Sequence, residues 1–90
     1  MTMSNNGLSK LIEECGELTQ IAAKKLAYPD TDIHPDGAGS MKARMEDEVA
    51  DVLAAIAFVC DKFQLDEAKM FARGDAKRKL FQEWDDDKDA

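Results

Sequence analysis

The chain has 90 residues, 44% hydrophobic and 34% charged, with a formal net charge of −7. This is the composition of a folded chain rather than a disordered one, and the length allows one domain, residues 1–90, whose core is marginal if it stands alone. The acidic balance excludes non-specific binding to nucleic acid or an anionic membrane, and no apolar run reaches the length of a membrane span or a secretory signal.

Residues 1–7 hold helix-cap candidates and a frayed start. A first helix is predicted from Leu8 to Ala27, with Leu8, Leu11, Ile12, Cys15, Leu18, Ala22 and Leu26 on its apolar stripe. Ile21 broadens that stripe toward the side carrying Glu14. Lys24 lies seven residues beyond Glu17, on the same face. It can meet a phosphate, or equally be a surface lysine favoured by the helix C-terminus.

Residues 28–40 contain both prolines and two of the five glycines, a loop of unusual length for a helical domain. Asp30, Asp32 and Asp36-Gly37 suggest a calcium loop, but the frame fails. His34 and Pro35 take its fifth and sixth places, and Met41 the twelfth, where a bidentate Glu is required. His34, the single histidine, is expected to face solvent.

Ser40 is a good cap for a second helix running to Phe63. Met41, Met45, Val49, Val52, Leu53, Ile56, Val59, Cys60 and Phe63 give it a wide apolar face, which calls for a second subunit. Cys15 and Cys60 read as reduced core residues of a cytoplasmic protein, not a disulfide. A third helix is expected from an Asp66 cap to Trp84, with Ala68, Phe71, Ala72, Leu80, Phe81 and Trp84 on its apolar side. Gly74 weakens its middle by roughly 1 kcal/mol relative to Ala and marks a kink or a close approach. Residues 85–90 read as an acidic, disordered tail.

Two acidic clusters lie on the first two helices: Glu13-Glu14-Cys15-Gly16-Glu17 and Glu48-Val49-Ala50-Asp51. Glu14 falls three residues after Leu11 and four before Leu18. Glu48 falls three after Met45 and four before Val52. Each is therefore set on or beside the apolar stripe, and Glu17 and Asp51 follow one turn on. Carboxylates converging at a helix seam repel one another and lose hydration, so they either protonate or bind a divalent cation. All-oxygen ligands without His or thiolate favour Mg²⁺, with Mn²⁺ as a substitute. A lone Glu-x-x-Glu is usually a solvated helix surface; two such pairs, each with one member on the core stripe, reverse that expectation.

Glu-Glu-x-x-Glu at 13–17 followed by Glu-x-x-Asp at 48–51 resembles the MazG-like, all-α nucleoside triphosphate pyrophosphohydrolases, small phage-type members included. The flanking Leu11-Ile12 and Leu18, and Glu46-Asp47 before Glu48 with Val52-Leu53 after Asp51, extend the likeness over residues 8–63. Thirty residues separate Glu17 from Glu48, a longer gap than is usual in that family, so its loop cannot be carried over. The resemblance implies an all-α bundle completed by oligomerisation, as a dimer or tetramer, into a four-helix-type core. It implies Mg²⁺-dependent hydrolysis of (deoxy)nucleoside triphosphates to the monophosphate and pyrophosphate. Glu14, Glu17, Glu48 and Asp51 would hold the metal, and Glu13 would orient water or a second ion. Lys24, Arg73 and Lys77 would meet the phosphates. Arg73 and Lys77 resemble the family's C-terminal basic residues, beside the alternative of a solvated basic face. Phosphoribosyl-ATP pyrophosphohydrolase activity and a non-catalytic metal-binding helical oligomer are the rival readings.

Overall fold

A computed structural model describes residues 5–34, 36–37 and 39–89, with side chains through residue 86. It is all-helical: a short 3-10 turn at Asn5–Gly7, then α1 (Leu8–Ala27), α2 (Met41–Phe63) and α3 (Glu67–Asp89). No strand occurs among the described residues. α1 and α2 form an antiparallel hairpin, and the N-terminal turn packs against α2.

Gly7 opens α1 at φ 89°, a left-handed conformation, with no side-chain cap. Glycine reaches that region without the steric cost of a Cβ. Ser4, one of the expected cap residues, lies outside the described residues. Ser40 caps α2 as expected, its hydroxyl accepting from Ala43 N–H at 3.0 Å. Asp66 does the same for α3, accepting from Lys69 N–H at 3.0 Å.

The hairpin packs along one seam spaced by threes and fours. From α1 and the turn before it come Gly7, Glu14 and Ile21, with Leu11 and Leu18 half-buried between them. From α2 come Met41, Val52, Ala55 and Val59, with Glu48 half-buried. This corrects the expected α1 stripe. Ile12 is 74% and Leu26 84% exposed, and Leu8, Cys15 and Ala22 are exposed beside them. The cause is that α1 has a single neighbour. A helix touching one partner buries one seam, and α2 takes the seam of Glu14 and Ile21. Cys15 is thus an exposed free thiol and only Cys60 is buried.

The described residues between Tyr28 and Ser40 are held by local hydrogen bonds. Ile33 bridges Ser40, His34 N–H donates to Gly39 O at 3.1 Å, and Gly37 N–H donates to His34 O at 2.8 Å. Asp32 supports the start of α2: its carboxylate accepts from Lys42 N–H at 3.0 Å and its carbonyl from Met41 N–H. Lys25 Nζ holds the start of the loop through Pro29 O and Thr31 O. His34 is 4% exposed, against the expectation of a solvent-facing residue. Pro35 lies outside the described residues.

α3 packs little against the hairpin; Cys60 Sγ and Met70 Sδ meet at 3.8 Å near its start. Its apolar residues do not form one side, and Phe71, Phe81 and Trp84 are all more than half exposed. The helix runs unbroken through Gly74, where an added Cβ would meet open space, so neither kink nor close approach is found there. It also continues through residues 85–89, which were expected to be a disordered tail; Ala90 lies outside the described residues. The molecule is accordingly flat, 41 × 36 × 15 Å. Its radius of gyration is 15.9 Å, where a compact domain of this length has about 12 Å.

Candidate metal centre

Midway along the hairpin the seam turns acidic. Glu14 and Glu17 sit one turn apart on α1, and Glu48 and Asp51 one turn apart on α2. One carboxylate oxygen from each of the four lies within 4.8 Å of the others. Packing forces this meeting. Gly7, Leu11, Leu18 and Ile21 on one side and Met41, Val52 and Ala55 on the other align the helices so that Glu14 and Glu48 take seam positions.

The electrostatic strain is legible in the carboxyl groups. Burial pushes Glu14 above its ordinary value, and the negative charges of Glu17 and Asp51 push it further, against the pull of Lys10. Glu48 is raised first by burial, then by the charge of Glu17 and by a hydrogen bond to it, then by Asp51 and Glu14. Glu14 is 9% exposed, and its Oε2 and that of Glu48 are buried with no hydrogen-bond partner. A buried acceptor left unpaired is costly, and its lone pairs point to a missing donor or cation.

These residues fit a hard divalent cation. The ligands are all oxygen, two of them are orphaned, and the four supply ample negative charge. Two oxygens bound to one Mg²⁺ lie at most about 4.2 Å apart. A spread of up to 4.8 Å is therefore somewhat wider than a bound Mg²⁺ allows, and the four carboxylates would have to draw inward to share one ion.

Two cavities flank the cluster. One, of about 370 Å³, is lined by Gly7, Lys10, Glu14, Asp51, Ala55 and Phe58. The other, of about 240 Å³, is polar and bounded by Glu17, Lys24, His34, Arg44 and Glu48. A further concavity, about 500 Å³ along Met41, Met45, Val49 and Leu53, shares no residue with the cluster and is apolar. We read that surface as a place for packing rather than chemistry.

No protein-family model, curated protein or solved structure matches this chain. The site therefore rests on its own geometry.

Of the residues singled out in the sequence, Glu14, Glu17, Glu48 and Asp51 are brought together, and Lys24 borders the polar cavity beside them. Glu13 is not among them. It points to solvent and pairs with Lys10 at 3.2 Å, because a residue adjacent to a seam position is turned about 100° away from it. Arg73 and Lys77 are exposed on α3 and line neither flanking cavity. Two residues escaped the sequence reading, and a third, His34, was expected in solvent. Lys10 lies 3.8 Å from Glu14 and Arg44 stands one turn before Glu48, both detectable as i,i+4 neighbours of a seam acid. His34 gave no such signal, since only the loop's folding brings it beside Lys24.

Proposed function

We propose that the chain is a Mg²⁺-dependent nucleoside triphosphate pyrophosphohydrolase of the MazG-like kind, releasing the monophosphate and pyrophosphate. The observation that carries this reading is the convergence of Glu-x-x-Glu and Glu-x-x-Asp, from two helices, around buried unpaired oxygens. Solvated surface acids have no reason to leave acceptors buried and unsatisfied.

In this reading Glu14, Glu17, Glu48 and Asp51 hold the cation, with Mn²⁺ able to replace Mg²⁺. The bound ion supplies Lewis-acid polarisation of the phosphates and a lowered pKa for water. Water adds at the α-phosphorus, the bond to the bridging oxygen breaks, and pyrophosphate departs. The water's proton passes to a cluster carboxylate. Lys24 borders the cavity beside the cluster, and in this reading it offsets the charge that develops on the departing pyrophosphate. No side chain acts as a covalent nucleophile.

The working form in this reading is a homo-oligomer, a dimer or tetramer that completes a four-helix-type core. Ile12 and Leu26 on α1, Val49, Leu53, Ile56 and Phe63 on α2, and Phe71, Phe81 and Trp84 on α3 are all exposed. So much apolar surface on one small chain favours covering by a second copy. Among the described residues no helix is long and apolar enough to cross a membrane.

The deciding assay is pyrophosphate release with Mg²⁺ across canonical and modified ribo- and deoxynucleoside triphosphates, with phosphoribosyl-ATP alongside. Turnover confined to phosphoribosyl-ATP would move the assignment to that substrate. Silence with every nucleotide would reduce the chain to a metal-binding scaffold.

A further inference from the structure

The long loop, to which nothing of the family's loop carries over, delivers a buried histidine to the wall of the polar cavity. His34 Nδ1 lies 2.8 Å from Asp36 Oδ1, and the Asp36 backbone nitrogen is 3.2 Å from the same ring atom. The charged carboxylate at 2.8 Å is a stronger partner than the backbone N–H, which favours the tautomer with the proton on Nδ1, donated to Asp36. Nε2 then presents a lone pair, and the Lys24 ammonium lies 3.5 Å from it. Asp36 is itself braced by Arg44 Nη2 at 2.8 Å. The result is a chain from Arg44 through Asp36 and His34 to Lys24, ending at the cavity that Glu17 and Glu48 share with the acidic cluster.

Lysine is a flexible point charge, and a phosphate contact gains from having it held in place. We propose that this cavity is the subsite for the pyrophosphate end of the substrate, with Lys24 contacting a phosphate oxygen and His34, oriented by Asp36, positioning Lys24. The inference rests on the metal reading given above and extends it in two ways. It fixes a direction for the substrate, its leaving phosphates toward the loop and its nucleoside toward the cavity of Ala55 and Phe58. It also fixes an order of binding. Without a cation, Glu17 and Glu48 repel a phosphate from the cavity. Once their charge is neutralised, the cationic side of the cavity is left to attract it.

The test uses the full chain, with Mn²⁺ binding followed by electron paramagnetic resonance and inorganic pyrophosphate binding by calorimetry, with and without Mg²⁺. Wild-type protein is expected to bind pyrophosphate only when Mg²⁺ is present. Lys24→Ala should keep Mn²⁺ affinity and weaken pyrophosphate binding by about ten- to a hundred-fold, the range of a charge-assisted hydrogen bond. His34→Leu should weaken it about tenfold, whereas His34→Gln, whose amide oxygen can accept from Lys24 in place of Nε2, should stay within about threefold of wild type. A purely structural role would make His34→Gln and His34→Leu fall together. Should His34→Leu not fold, Asp36→Ala, at a half-exposed side chain, takes its place with the same tenfold expectation. Intact Mn²⁺ binding with pyrophosphate affinity indifferent to Lys24→Ala would overturn the subsite and leave the metal reading standing. Absence of Mn²⁺ binding would overturn both.

Discussion

The three helices have 20, 23 and 23 residues and α3 is the most densely charged of them, yet α1 and α2 together make a site and α3 has little to pack on. In the hairpin, residues at spacings of three and four meet across one seam, and that meeting holds Glu14 and Glu48 where water cannot fully solvate them. In α3 the apolar residues are scattered around the axis, so no continuous seam forms against the hairpin and no charged residue is trapped. An acidic residue becomes chemically interesting when packing forces it inward, not when acids are merely numerous.

The sharpest way to break this contrast is to neutralise the seam. Glu48→Gln and Asp51→Asn keep size and remove charge. Each should cut Mg²⁺-dependent pyrophosphate release by at least about a hundredfold, the scale of losing one preorganised electrostatic group. Circular dichroism should remain helical, and wild-type turnover in either variant would remove that residue from the site.

A second experiment asks whether the exposed apolar face is covered in solution. Leu53 is 60% exposed in the single chain, and a surface substitution there should change stability by less than about 0.5 kcal/mol in a monomer. If a second copy covers it, Leu53→Lys should instead destabilise by about 1–3 kcal/mol and shift the sedimentation coefficient toward the monomer. A wild-type chain that sediments as a stable folded monomer at micromolar concentration would end the oligomer proposal.

The third concerns pH. Glu14 and Glu48 have raised values in the folded chain, above the ordinary 4.5. The folded state therefore binds protons more tightly than the unfolded state. Metal-free stability is fullest below about 4.5 for these two groups and declines as pH rises through their raised folded values. Thermal melts without metal should show Tm falling over that window from this contribution, with Glu48→Gln flattening the fall. Millimolar Mg²⁺ should restore Tm at neutral pH, where the site is ionised. A metal-free Tm in which Glu48→Gln leaves the pH dependence unchanged would show that the seam acids are not under strain.

The smallest effect is expected on α3. Arg73→Ala and Lys77→Ala should leave kcat/KM within about twofold, as exposed charges usually do. A loss of tenfold or more in either would show that α3 of a second copy reaches the substrate, and would erase the difference between the two regions.

How far the sequence disclosed this molecule follows the same division. The limits of α1 and α2, the Ser40 and Asp66 caps and the four converging acids are local or periodic properties, and the residues state them directly. Which of α1's two adjacent apolar seams would be buried is not local. It depends on the one neighbour available, which is why Ile21 is buried and Ile12 is not. His34 is buried through hydrogen bonds to Gly37 and Gly39 and a contact with Lys24 ten residues away, and neither spacing nor composition encodes that. Residues 85–89 were judged by charge alone, although Gln82 and Asp86 can pair one turn apart and support the helix, Nε2 to Oδ1 at 3.1 Å.

The joint after α2 carries a mechanical consequence. Gln64 turns the chain at φ 55°, ψ 46°, and Leu65 N–H closes the turn onto Cys60 O at 3.0 Å. Beyond it extends a rod of 23 residues, about 34 Å long at helical rise, with almost nothing to lean on. A rotation of about 10° at this one residue would swing the far end by roughly 6 Å, on the geometry of such a rod. The reach of α3 is thus set by the short joint of Gln64, Leu65 and Asp66 between the two helices. Sequence change there could redirect the whole arm while the acidic seam stayed as it is.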